Sequence, residues 1–141
     1  MPDSHIEYRS GYKYQLARDY GVKVSVRPDR DIDTEFIRLT TGGMLFVRKG
    51  YAWDGPSGPV KDNKENMRGS LVHDALYQLM RNKELSTRTH RKAADLEFKN
   101  MCKADGVSKF WASVYYKGLR KFGKPAASPQ NKKKIARAPK K

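Results

Sequence analysis

The sequence predicts an α+β fold: a small antiparallel sheet of about four strands followed by three helices. Three observations point there. Before residue 50 the apolar residues alternate at the period of a strand. From Leu71 onward they recur at helical spacing. Between the two regions, Asp54-Gly55-Pro56-Ser57-Gly58-Pro59 is too rich in glycine and proline for a helix or a central strand, and reads as a loop.

Tyr12, Tyr14 and Leu16 share one face of a first strand, and Val22, Val24 and Val26 one face of a second. Phe36 to Leu39 and Met44 to Val47 supply the third and fourth, and Gly42-Gly43 between them signals a two-residue hairpin turn, which needs positive φ. Asp19, Gly21, Pro28 and Asp29 mark the remaining turns. In the second half, Leu71, Val72, Ala75, Leu76, Leu79 and Met80 define one helix. Ala94, Phe98 and Met101 define a second, capped by Ser86 or Thr87 and ended at Gly106. A third starts with Ser108 as cap and aligns Trp111, Val114, Tyr115, Leu119 and Phe122 in a stripe expected to face the core.

The chain has 141 residues, enough for one domain, and 30 Lys+Arg against 15 Asp+Glu give a formal charge of +15. Seven of those charges fall after residue 122, where no acid occurs. Residues 1–122 therefore read as a single α+β domain carrying +8, and residues 123–141 as a disordered basic tail. Lys132, Lys133, Lys134, Arg137, Lys140 and Lys141 of that tail suit a polyanion, either nucleic acid or anionic lipid. No base-reading motif accompanies them. The single cysteine, Cys102, excludes an internal disulfide and any multi-cysteine metal site, and its apolar neighbours make it a core residue. No run is long and apolar enough to span a bilayer, and the first residues lack a signal-peptide pattern, so folding in the cytoplasm is expected.

His73-Asp74-Ala75-Leu76-Tyr77 places His73 and Tyr77 one helical turn apart, on one face. Residues 82–86 make a short connection, so the first two helices are antiparallel neighbours, and Asp95 of the second comes opposite His73. A carboxylate that accepts from one ring nitrogen fixes the tautomer and leaves the other nitrogen to take a proton from water. Asp74 points to a different side of the helix, where it meets carbonyls of the Gly55–Gly58 loop as a hard-cation site. The bland alternative is a satisfied polar contact in a helix interface, with Asp95 paired to Arg91 one turn away and the loop a plain connector. His5 and His90 have no metal-ligand spacing.

Tyr51…Gly55-Pro56, His73-Asp74-Ala75-Leu76-Tyr77 and Ala94-Asp95-Leu96-Glu97-Phe98 resemble the calcium loop and the two helix motifs of the phospholipase A2 domain in parvovirus minor capsid proteins. Over most of residues 6–123 the chain also resembles a family of small bacteriophage and prophage domains of unknown function. The shared features are the strand-rich start, the Trp53-Asp54-Gly55-Pro56-Ser57 loop, the His-Asp-x-Leu-Tyr helix and the Arg91-to-Phe98 helix. The phospholipase resemblance implies a calcium-dependent acyl-ester hydrolase with His73 as general base, Asp95 as its orienter and Tyr77 bonded to Asp95. It implies calcium held by Asp74 with Tyr51, Gly55 and Ser57. The phage resemblance implies residence in the bacterial host cytoplasm or in the virion. Trp53-Asp54 and Pro59 depart from the phospholipase loop. They leave a second expectation: a non-catalytic virion or tail-associated component that meets DNA, membrane, acidic partners or other phage proteins through its basic surface.

Overall fold

The computed structural model describes residues 5–9, 14–55 and 63–129, and within them the fold is α+β. Seven short strands come first: β1 (Tyr8–Arg9), β2 (Tyr14–Leu16), β3 (Tyr20–Lys23), β4 (Ile32–Asp33), β5 (Ile37–Leu39), β6 (Met44–Val47) and β7 (Ala52–Trp53). Four helices follow: α1 (Lys64–Arg81), α2 (Thr87–Ala104), α3 (Lys109–Phe122) and α4 (Lys124–Ala127).

The strands form two antiparallel sheets instead of one. The larger has the order β3-β6-β5-β4, with Val22 opposite Leu45 and Ile37 opposite Val47. The smaller has the order β1-β2-β7, with Tyr14 opposite Trp53. The strand around Tyr14 therefore leaves the expected four-stranded sheet, and Ile32–Asp33 takes the fourth place in it. Alternation decides which face is buried: Tyr20, Val22, Leu45, Val47, Ile37, Leu39 and Ile32 point inward. Gly21 lies inside β3, where the Phe46 ring of the neighbouring strand covers it, and so does not mark a turn. At the β5–β6 turn, Gly43 N donates to Thr40 O and Thr40 N to Met44 O, both at 3.0 Å. The only positive φ in that turn, +89°, falls on Gly43, so the connection is a three-residue loop ending in a left-handed glycine.

Helix α1 begins with a reciprocal cap. The Asn63 side chain accepts from the Glu65 and Asn66 amides, and Asn66 Oδ1 accepts from Asn63 N. Twelve of its residues are buried, so it is the central helix of the molecule. Ser86 and Ser108 cap α2 and α3 as expected, accepting from Thr89 N and Trp111 N. Contacts between Arg68 and Asp105, His73 and Asp95, and Tyr77 and Arg91 run in opposite chain directions, which makes α1 and α2 antiparallel. The smaller sheet is tied to α1 by Trp53, whose Nε1 donates to Ser70 Oγ at 3.0 Å while its ring packs against Tyr8 and Tyr14.

Two expectations are corrected. The α3 stripe faces the body only along Tyr115, which packs on Phe98, and half-buried Leu119: Trp111 is 54% exposed, Phe122 69% and Val114 37%, and Ala112 is the one fully buried residue of the helix. The packed chain also continues past residue 122. Helix α4 docks with Ala127 buried, its carbonyls accepting from Arg81 and Thr87. Lys132, Lys133, Lys134, Arg137, Lys140 and Lys141 lie outside the described residues.

Candidate active site

Asp95 is the centre of the candidate site. It stands on the face of α2 that packs against α1, is fully buried, and gathers side chains from three helices. Its Oδ1 lies 2.8 Å from His73 Nε2 and accepts the Tyr77 hydroxyl at 2.6 Å, both from α1. Its Oδ2 accepts Arg120 from α3 at 2.8 Å, and the Arg91 guanidinium lies 3.6 Å away. The i, i+4 pairing of Arg91 with Asp95 is therefore present together with the His73 contact. Arg91 also reaches past Asp95 to accept nothing and donate widely: to Tyr77 Oη at 3.3 Å and to the Leu119 and Arg120 carbonyls at the C-terminal end of α3. A cation at that end suits the helix dipole, and Leu119 O accepts from Arg91 in addition to Gly123 N.

The charges follow from this arrangement. Burial alone pushes the Asp95 carboxyl up, yet hydrogen bonds from His73 and Tyr77, the His73 charge and the Arg120 hydrogen bond together hold it below the ordinary carboxylate range. Burial, and then the adjacent Asp95 carboxylate, push the Tyr77 hydroxyl well above its usual value, so it stays a donor. An ionised carboxylate only accepts, so His73 Nε2 carries the proton between them, and in the neutral form of the ring the lone pair stands on Nδ1. No described residue hydrogen-bonds Nδ1, and no side-chain nitrogen or oxygen buried among the described residues lacks a partner. That lone pair therefore opens to solvent, through the small part of His73, 7% of its surface, that stays accessible.

Asp74 points to another side of α1. Its Oδ2 accepts the one hydroxyl proton of Tyr51, whose oxygen also lies 3.2 Å from Gln78 Oε1. Tyr51 thus offers its hydroxyl toward Asp74, while its backbone carbonyl accepts Leu16 N at 2.8 Å. Burial holds the Asp74 carboxyl above its ordinary value, against the Tyr51 hydrogen bond, and the charge of Asp54 adds to the rise. One Asp74 oxygen stands outside any described hydrogen bond, a single oxygen where a hard cation takes about six or more. Of the other expected ligands, Gly55 sits at the end of the described loop with φ +85°, and Ser57 lies outside the described residues. Among the described residues no three His, Cys, Asp or Glu side chains converge in a metal cluster.

Sequence reasoning brought together His73, Tyr77 and Asp95, which the structure joins. It missed Arg120, the nearer of the two arginines on Asp95, and the Tyr51–Asp74 hydrogen bond. Neither has a periodic signal, because each joins elements more than 20 residues apart in the chain. None of the described helices is long and apolar enough to cross a membrane. Comparisons with models of protein families, with curated proteins and with solved structures find no match to the chain.

Proposed function

We propose that the protein is a phage-encoded hydrolase resembling phospholipase A2, in which His73 activates a water for attack on an acyl ester. The observation that carries this reading is the paired bonding of Asp95 Oδ1 to His73 Nε2 and the Tyr77 hydroxyl, which leaves Nδ1 as the free base. Nδ1 takes a proton from the water as its oxygen bonds to the ester carbonyl carbon. The imidazolium so formed is balanced by Asp95 and returns the proton to the alkoxide as the acyl carbon–oxygen bond breaks, giving an alcohol and a carboxylic acid, which then loses its proton to solvent. Asp95 and Tyr77 are positioning residues: they hold the ring in one tautomer and one orientation. Asp74, with oxygens of the loop that follows Trp53, would hold calcium, which when bound supplies positive charge to the carbonyl oxygen as negative charge develops there. The site of action is the bacterial host cytoplasm or the virion.

A second reading has its own support. Two arginines on one buried carboxylate are more than a catalytic pair needs, and they staple three helices. In that reading the protein is a non-catalytic phage component that meets nucleic acid, anionic lipid or other phage proteins through its basic surface. The experiment is ester hydrolysis on phospholipid vesicles and short-chain esters, with millimolar calcium and with chelator. Calcium-dependent turnover that falls about 100-fold or more in a folded His73→Gln variant supports the hydrolase. Absence of turnover on every ester, with the fold intact, removes it.

A further inference from the structure

The described residues expose five large apolar side chains, and four of them, Phe110, Trp111, Val114 and Phe122, stand on α3. At about 100° per residue these four span a single arc of the helix. Gly118 falls in the middle of that arc, with nothing within 4 Å of where a Cβ would stand. The rings are contiguous: Phe110 meets Trp111 edge to face at 5.4 Å, and Trp111 lies 6.4 Å from Tyr115. Lysines stand at one edge of the arc. Lys117 falls just outside that edge and Lys121 just inside it, Lys121 Nζ sits 5.4 Å from the centre of the Phe122 ring, and the helix Lys109–Phe122 contains no acidic residue. Apolar rings flanked by cations without a single carboxylate make the pattern of a helix that lies in a negatively charged water–lipid interface.

We propose that α3 is an interfacial helix that docks the protein on an anionic lipid surface, with Phe110, Trp111, Val114 and Phe122 entering the acyl boundary and Lys117 and Lys121 among the headgroups. This inference stands whether or not the His73 site turns over an ester. A second copy of the chain is a poor occupant, because each copy carries +15 and would bring lysine against lysine. A nucleic acid would engage the lysines and stack a ring or two, but leaves Val114 and the remaining rings without an apolar partner. An anionic bilayer satisfies both the charge and the apolar area.

The test is co-sedimentation of the full chain with vesicles of phosphatidylglycerol and phosphatidylcholine, against phosphatidylcholine alone, combined with tryptophan emission. Trp53 is buried, so a blue shift on binding reports Trp111. Binding is expected to the anionic vesicles, with a blue shift. Phe110→Ser with Phe122→Ser, at two exposed positions where folding is not at stake, lowers the partition coefficient about tenfold or more. Gly118→Leu, which fills the open position in the arc, raises it. Thermal melting confirms that both variants are folded. Four results overturn the proposal: no vesicle binding; binding unchanged in the double serine variant, which would assign it to basic charge elsewhere; a dimer that the double variant dissolves; or a Trp111 response to single-stranded DNA but not to vesicles.

Discussion

Replacing Asp95 with asparagine keeps the side chain's shape and removes its charge. The Asn carbonyl can still accept from His73 or Tyr77, but its NH2 group then faces the Arg120 guanidinium, donor against donor, and two arginines lose their counter-ion. Removing one partner of a buried ion pair costs about 3–5 kcal/mol. The Arg91 side chain is 11% exposed and recovers little hydration, whereas Arg120 is 34% exposed and recovers more. The lower end, about 3 kcal/mol, is therefore expected. With a urea m-value of about 2 kcal/mol/M, typical of small domains, the denaturation midpoint falls by roughly 1.5 M. Arg120→Met leaves Asp95 with His73, Tyr77 and Arg91 and shifts the midpoint by less than half as much. A shift below about 0.3 M for Asp95→Asn would show that the network is hydrated and would refute this reasoning.

Asp95 also sets an acid limit. Its folded-state pKa is depressed, so the stability it contributes is complete above the unfolded carboxylate value of about 3.9 and is lost as pH falls through the lower folded value. Thermal melting against pH should show the wild type losing stability below about pH 4 more steeply than Asp95→Asn. Cys102 is fully buried and its thiol is pushed up to about 12, by burial first and the Asp105 charge second. It should be inert to Ellman's reagent at neutral pH in the folded protein and react fully in urea. At Gly123 a Cβ would stand 2.6 Å from Leu119 O and 2.7 Å from the Tyr77 hydroxyl, so Gly123→Ala should cost about 1–3 kcal/mol, read as a lower urea midpoint.

Patterns local in sequence were legible. Period-two alternation located β2, β3, β5 and β6, and the spacing His73, Tyr77, with Asp95 across a short connection, located the heart of the candidate site. Strands β1, β4 and β7 are two residues each, too short to show any period. Helix α4 was hidden by composition, since its lysine and proline read as tail until the docked Ala127 and the Arg81 contact supply the apolar and polar partners. The α3 stripe was found, but periodicity identifies a face without saying what covers it, and here α2 covers Tyr115 while Trp111, Val114 and Phe122 stay exposed. Arg120 was invisible for a related reason: its role depends on how α3 is rotated against α2, and that is fixed by Arg91 and the small residues Ala112 and Gly123.

Helix α3 buries one residue where α1 buries twelve, and the difference should appear in native-state hydrogen exchange. The amides of α3 are held to the body chiefly by Arg120 on Asp95 and by Arg91 on the last carbonyls, so they should exchange by a subglobal opening well below the cost of global unfolding. In that opened form Asp95 still has His73, Tyr77 and Arg91. The His73–Asp95 pair and α3 should therefore behave as different cooperative units, the pair outlasting the detachment of the helix that helps to neutralise it.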